Sequence, residues 1–378
     1  MYVYELDRPW TDTPFKFQGF LLNQPDELVA LKKYCGWVLV DPERSELAEP
    51  YRRGRTAYAE TTSVEQEFEA AAKAHVASET LVRDVIAAVR IGKALDAERI
   101  QASVTTMTES VLRNPDALLL FAQLREKGDY TVTHAVDVAV YMIAFGRFLQ
   151  LEPGQIDFLG YLGLLQDVGK VRLPKQLLEK RDRLSVEEFE RAKLHVNYSV
   201  EILRATRGLP RDLARLAALH HERHDGSGYP NKLRGGEIGM IGSIAAIVDT
   251  FDALTVRRPY AEPIAPSAAL NMLYKWRGAF FDANLVEQFI RCIGIFPVGS
   301  VVELNSGEVA VVIAHNVAKR LQPRVMVIRD RAGNPMRPHK LLDLSREQKV
   351  AAGGEIYRIR RTLEYGNVPI SSEELFMK

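Results

Sequence analysis

Two adjacent histidines, His220 and His221, close an apolar run from Leu213 to Leu219, and a glycine-rich stretch follows at once. Leu213, Leu216 and Ala217 lead to His220 at helical spacing, which puts His220 on a buried face. His221 lies about a third of a turn away, so the two imidazoles can converge on one ion. Gly226, Gly228 and Pro230 leave a loop whose backbone can approach a ligand closely. The plainer alternative is a helix C-terminus with histidines favoured by the dipole and a glycine stop. Asp167 ends one strongly apolar helical pattern and Asp249 interrupts another. A carboxylate so buried is costly unless paired or bound to metal. For Asp167, Lys170 is one candidate partner and a cation the other. His134 and His195 fall in the same helical block. Imidazole and carboxylate together are the ligand set of Zn, Fe, Mn or Ni. A carboxylate can bridge two ions, and ions about 3.5–4 Å apart suit phosphoester hydrolysis. Dispersed histidines and aspartates are more often capped or packed, so spacing alone leaves both readings open.

The elements that must hold these residues are mostly helices. Met1–Leu6 and Trp37–Val40 read as strands and Gln24–Tyr34 as a helix, with a polar linker at Tyr51–Thr62 carrying Arg52, Arg53 and Arg55. Helical patterns then run over Val64–Arg90, Asp96–Arg113 (ended by Asn114-Pro115), Thr131–Leu149, Gln155–Asp167, Ser185–Leu203 and Met240–Leu254. Ser185 with Glu188 forms a capping box. The first two read as a helical stalk. After Pro297 the period becomes two: Ser300–Leu304, Val309–His315 and Arg324–Arg329 read as strands, with a hairpin turn at Ser306-Gly307. The expected class is mainly α: an all-helical core, a small α+β N-terminal module and a small β C-terminal appendage. The expected divisions are 1–62, 63–104 (linking helices), 105–296 (catalytic helices) and 297–378.

The chain has 378 residues, 47% hydrophobic, with a net charge of +1. That allows two or three domains with a large core. The balanced charge argues against a DNA or RNA protein driven by bulk electrostatics. Cys35 and Cys292 make neither a disulfide framework nor a zinc ribbon. No signal peptide and no run of transmembrane length is legible, so a soluble cytoplasmic protein is expected.

Asp167-Val168-Gly169-Lys170, His195, His220-His221-Glu222 and Asp225-Gly226-Ser227-Gly228-Tyr229-Pro230 resemble the HD-GYP domain, a subgroup of the HD metal-dependent phosphohydrolases. So do Asp249-Thr250-Phe251-Asp252-Ala253-Leu254-Thr255 and Arg257-Arg258-Pro259-Tyr260. The resemblance covers roughly residues 105 to 295, and its motifs are long and ordered. Residues 1 to about 60 resemble, more weakly, the small domain of unknown function that often precedes HD-GYP in bacterial proteins. The resemblance implies hydrolysis of the bacterial second messenger cyclic di-GMP to pGpG, in some members on to GMP, at a site of two divalent transition metals, Fe or Mn. His134 and Asp249 would serve one metal, His195, His220 and His221 the other, and Asp167 would bridge them. Lys170 would contact a substrate phosphate and Arg258 a phosphate or guanine. Gly228, Tyr229 and Pro230 would form the loop beside the bound phosphate.

Three positions depart from that pattern. Gln166 replaces the histidine of the HD pair. Its amide oxygen is a weaker donor than imidazole, which leaves the first metal site weak or empty. Tyr130 stands where some members carry a glutamate for a third metal, so two metals at most are expected. Ala261 stands where many members carry a basic residue. Gln166 also motivates the alternative reading, a catalytically impaired relative that binds cyclic di-GMP or a signalling protein and acts as an effector. An HD phosphohydrolase for another nucleotide is a third. Several of these residues have ordinary alternatives. Lys170 could simply neutralise Asp167, and Arg257 reads as a helix C-terminal cation. Tyr229 reads as packing, Asp225 as a turn residue, and Asp252 as a support to a ligand. His75, His224, His315 and His339 receive no role. The helices over Val64–Arg113 leave room for a homodimer.

Overall fold

The computed structural model describes residues 2–6, 20–22, 25–36, 38–41 and 58–363, except 126, 127, 259, 260, 317, 318, 347, 348 and 351–353. The expected linker arginines Arg52, Arg53 and Arg55, the Pro259-Tyr260 pair and the segment 371–378 lie outside the described residues. The chain divides into two units, Met1–Ala57 and Tyr58–Lys378.

In the first unit, strands β1 (Tyr2–Leu6), β2 (Phe20–Leu21) and β3 (Val38–Asp41) form an antiparallel sheet in the order β2-β1-β3, with helix α1 (Pro25–Tyr34) between β2 and β3 in sequence. Val3, Leu6 and Leu31 make its core.

The second unit opens with α2 (Val64–Arg90), whose N-terminus carries a reciprocal Ser63–Gln66 capping box. Helix α3 (Ala97–Arg113) follows. The expected stop at Asn114-Pro115 is also a start. The Asn114 side chain accepts from the Asp116 N–H at 3.0 Å, and Pro115 opens α4 (Pro115–Leu124). Proline lacks only a donor that a first helical turn leaves unused. α2 and α3 do not stand apart as a stalk. Val64, Phe68, Leu81, Ile100 and Met107 belong to one buried apolar cluster that continues through the later helices.

Those later helices are α5 (Tyr130–Phe148), α6 (Pro153–Leu165), α7 (Lys175–Leu178), α8 (Val186–Ala205), α9 (Leu213–Ala217), α10 (Gly239–Thr255), α11 (Pro266–Trp276) and α12 (Ala283–Ile293). The Ser185–Glu188 capping box on α8 is present. α5 and α6 are apolar on nearly every face, which suits helices surrounded by others. Their contact is very close: a Cβ at Gly163 would stand 2.4 Å from the Ala139 Cα. A buried polar group of four ties α2 to α5. Arg125 reaches Glu79 at 2.6 Å and Asp137 at 3.1 Å, while its Nε donates to His75 at 3.2 Å.

The C-terminal strands β4 (Val301–Leu304), β5 (Val309–Ala314), β6 (Arg324–Arg329), β7 (Pro335–Asp343) and β8 (Ile359–Thr362) form an antiparallel sheet in the order β7-β6-β5-β4-β8. β5 is buried on both faces. Ala310 and Val312 join a core within the sheet, while Val311 and Ile313 join the helical core. Strands β7 and β8 were not expected, because most of their residues are exposed or half-buried and show no clean alternation.

His315, left without a role in the sequence, joins this sheet to α4. Its backbone N–H and Nδ1 both reach Asp116, at 2.8 and 2.9 Å. Burial alone would depress the imidazole, but Asp116 holds its pKa above the ordinary value. Burial likewise opposes Asp116, yet His315 holds that carboxyl below its ordinary range. The folded pKa of His315 is raised, so its stabilisation is full below its unfolded value of about 6.5 and fades as pH rises through the folded value. The folded pKa of Asp116 is lowered, so its share fades as pH falls below the usual carboxylate range. The stability advantage of the wild type over His315→Gln should therefore hold up to about pH 6.5 and shrink as pH rises above it, as read by urea unfolding. An advantage that grew with pH would remove this assignment.

Candidate metal centre

Helices α5, α6, α8 and α10, with the turn after α9, each bring one or two polar side chains to a common point. His134 comes from the first turn and a half of α5. Gln166 and Asp167 follow the end of α6, where the chain tightens into a 3-10 turn, Val168–Arg172. His195 lies midway along α8, and Asp249 and Asp252 lie on α10. His220 and His221 stand in the turn beyond α9, which ends at Ala217 rather than continuing to Leu219 as expected. The buried placement of His220 is as expected: it is fully buried.

The hydrogen bonds at the rim fix which atoms point inward. His195 Nδ1 lies 2.6 Å from the Ala192 carbonyl oxygen, and His220 Nδ1 lies 2.6 Å from that of Ala217. A carbonyl oxygen only accepts, so each Nδ1 carries the proton and each Nε2 of the neutral ring presents a lone pair. Those two Nε2 atoms face one another at 3.4 Å. They also face Asp167 Oδ1, at 3.2 and 3.5 Å. That oxygen is buried and, among the described residues, has no hydrogen-bond partner. In their neutral form these rings add two electron-pair donors to the carboxylate oxygen, and such a trio repels itself and suits a cation. Burial lowers the pKa of His195 and lowers that of His221 well below the ordinary value, which keeps both rings neutral donors.

The second half of the centre is richer in carboxylate. His134 Nδ1 meets Asp252 Oδ2 at 2.6 Å, and its Nε2 lies 3.1 Å from Asp249 Oδ1 and 3.2 Å from Asp167 Oδ2. Burial would lower the His134 pKa, but Tyr130 and these three carboxylates hold it well above the ordinary value. Asp252 therefore orients a ring rather than facing the centre, the support role read from the sequence. Gln166 Nε2 donates to Asp249 Oδ1 at 3.3 Å, and its buried Oε1 has no hydrogen-bond partner among the described residues. His221 Nδ1 lies 3.7 Å from Asp249 Oδ2. His221 thus stands between the two halves.

Two groups of side chains here could hold a metal ion: Asp167, His195, His220 and His221, and His134, Asp167 and Asp249. Asp167 belongs to both. Lys170 Nζ meets its Oδ2 at 2.6 Å. Burial opposes the Asp167 charge, but Lys170 and then the imidazoles hold its pKa well below the carboxylate range.

The loop after the histidines is built by Glu222, which sequence reasoning passed over. Glu222 is fully buried and accepts from the Asn231 and Leu233 N–H groups at 2.7 and 3.0 Å. The loop folds back so tightly that a Cβ at Gly228 would stand 2.3 Å from the Arg223 nitrogen. Tyr229 is thereby laid against His221, ring centroids 4.7 Å apart, and edge-on to Phe189. Its ring packs in this way, and the Asp225 carboxylate closes a turn onto Ser227. Arg258 and Ala261 exchange backbone hydrogen bonds at 3.0 and 3.2 Å, and the exposed Arg257 pairs with Glu262. Beside Lys170 a cleft of about 270 Å³ opens, walled by Asp129 and Thr131 on one side and by Arg83 and Arg90 of α2 on the other. No α2 residue was expected to reach this region.

Gly169 sets how closely the 3-10 turn approaches α8. A Cβ there would lie 2.1 Å from the His195 carbonyl oxygen, and the Gly169 N–H donates to Ser199 Oγ at 2.8 Å. Gly169→Ala should cost about 2–3 kcal/mol in urea unfolding by overpacking. It should also displace Asp167 from His195 and so lower metal content. Wild-type stability in the variant would mean the two elements separate freely.

Residues 131–285 match the family described as HD domain, residues 1–100 a domain of unknown function (DUF3391), and residues 301–351 a KOW domain associated with HD domain. A cyclic di-GMP phosphodiesterase of Pseudomonas aeruginosa is 31% identical over 359 residues, 92% of this chain and 86% of that protein. A 3'3'-cGAMP-specific phosphodiesterase of Vibrio cholerae is 38% identical over 171 residues, but these are 45% of this chain and 32% of that one. The cyclic di-GMP phosphodiesterase response regulator RpfG of Xanthomonas campestris is 32% identical over 195 residues, about half of each chain. In fold, the chain is similar to an HDG"Y"P protein of Bdellovibrio bacteriovorus, with a TM-score of 0.50 at 18% identity over 76% of this chain and 98% of that one. Likeness to the Pseudomonas protein over nearly the whole of both chains places this one in the HD-GYP family of HD-domain proteins.

Proposed function

We propose that the protein hydrolyses cyclic di-GMP to linear pGpG, or onward to GMP, at two divalent transition ions, Fe or Mn. The observation that carries this is the facing pair of imidazole Nε2 atoms at 3.4 Å beside the unpartnered Asp167 oxygen. In this reading His195, His220 and His221 would hold one ion and His134 and Asp249 the other, with Asp167 available to both and Gln166 offering its amide oxygen at the weaker site. Bound ions of this kind supply positive charge to a phosphate and make water more acidic. The protein's own groups do the rest. Lys170 sets an ammonium where the phosphate oxygens gain charge. Asp252 holds the His134 ring in one orientation, and Glu222 fixes the loop bearing Gly228, Tyr229 and Pro230. Arg258 contacts a phosphate or guanine. Water adds across the phosphorus–O3′ bond: its oxygen joins phosphorus, and its proton ends on the departing 3′ oxygen. A chain with two cysteines, Cys35 and Cys292, suits a reducing cytoplasm. Among the described residues, no helix is long and apolar enough to cross a membrane.

The test is turnover of cyclic di-GMP by protein loaded anaerobically with Fe or Mn, with 3′,3′-cGAMP beside it and metal counted on the same sample. Binding of cyclic di-GMP without turnover at full metal loading would replace the enzyme by an effector. Preference for 3′,3′-cGAMP would keep the site and change the substrate. The cleft also predicts that Arg83→Ala and Arg90→Ala raise KM by about 3–10-fold and leave kcat within about twofold, since they remove charge that binds substrate and transition state alike. Unchanged KM in both would place the substrate elsewhere.

A further inference from the structure

A second cavity, of about 380 Å³, lies between the helical core and the C-terminal sheet. Its wall includes Glu60, Asp116, Arg147, Phe148, Arg291, His315 and Arg320. The informative residue is Arg147, near the end of α5. It is only 9% exposed, and its Nε and Nη2 have no hydrogen-bond partner among the described residues. A buried guanidinium with two open donors is costly, and an anion relieves that cost. Glu60 and Asp116 lie near enough to act on its charge, but among the described residues neither hydrogen-bonds to Nε or Nη2. Asp116 is engaged by His315 through both its oxygens. Burial, and then Asp116, raise the Glu60 pKa above its ordinary value, against a lowering pull from Arg147. Arg291 and Arg320 add two further cations to the same wall.

We propose that this cavity is a binding site for a small organic phosphate of mononucleotide size or less, held by Arg147, Arg291 and Arg320. A phosphate matches the planar fork of a guanidinium with two oxygens and keeps a third for the other arginines. The volume suits a ligand of that size, and Phe148 offers an apolar side to its body. The catalytic reading is not needed for this: none of these residues belongs to the histidine–aspartate centre.

The test is calorimetric titration of the full chain with guanosine 5′-monophosphate, inorganic phosphate and citrate, in the wild type and in Arg147→Gln, Arg320→Ala and Lys170→Ala. The expected result is a phosphate-binding event that weakens at least about tenfold in Arg147→Gln and about threefold in Arg320→Ala, and persists in Lys170→Ala. Should Arg147→Gln unfold, Arg320→Ala, an exposed side chain, decides. Absence of binding by either phosphate at about 5 mM, binding of citrate alone, or loss only in Lys170→Ala each overturns the proposal.

Discussion

Asp167→Asn should abolish cyclic di-GMP hydrolysis, by about three orders of magnitude or more, while the chain stays folded. Asparagine keeps the size of the side chain and one oxygen, but it carries no charge and cannot bind two ions equally. Asp167 is the one residue common to both metal-capable groups. Its loss therefore weakens both ions at once, and it leaves the Lys170 ammonium, 2.6 Å away, without its counter-charge. Loss of a group on which ion placement depends removes most of the electrostatic help that such sites give, a term of several kcal/mol in the barrier. Steady-state rates, metal content and a thermal melt on one preparation check this. Retention of more than a tenth of the activity would mean that each ion is held independently of Asp167. A melt lowered in step with activity would make the effect structural.

Gln166→His should act in the opposite direction. The wild-type side chain is buried, spends its Nε2 on Asp249 at 3.3 Å, and leaves Oε1 without a partner. An imidazole in its place would offer a lone pair to the ion shared by His134 and Asp249. Affinity at that site should rise by about 10–100-fold, the range over which metal sites respond to changes around their ligands. Turnover at limiting metal should rise with it. Metal titration of both proteins, followed by rate at each loading, separates affinity from chemistry. Equal affinity in the two would show that the amide is already an adequate ligand, and that the departure at Gln166 has no functional weight.

Much of this arrangement was legible before any coordinate. The helix over Val64–Arg90, the capping box at Ser185 and strands β4, β5 and β6 follow from apolar period and from polar punctuation, both of which are local. The four helices that supply the centre were readable for the same reason, and the HD-GYP resemblance then supplied which side chains should meet. What was not legible is set by contacts distant in sequence. Asn114-Pro115 both stops and starts a helix, and only the tertiary turn decides that. Glu222 stands in the His220-His221-Glu222 motif with no role of its own legible, yet it is sealed beneath the loop it holds. β7 and β8 carry little alternation because much of their length is not covered on either face. His315 and Asp116 are 199 residues apart, and nothing local predicts their pairing. Arg83 and Arg90 reach the cleft only because α2 packs within the core, which its amphipathic pattern alone does not reveal.

The polar group that ties α2 to α5 bears on how signals could travel. Asp137, its central carboxylate, lies three residues beyond His134 on the same helix, and its partner His75 lies in the middle of α2. Sliding α2 along α5 would break several charged contacts in a dry interior, where each is expensive to leave unmade. The soft coordinate is therefore not slip between the two helices but their joint tilt. Six residues lie between the end of the N-terminal unit and the start of α2, and the other end of α2 lines the cleft beside Lys170. At about 1.5 Å per residue, its 27 residues make a strut of roughly 40 Å. One helix thus spans from its capped first turn to the mouth of the cleft, and its charged ties to α5 meet that helix within one turn of His134.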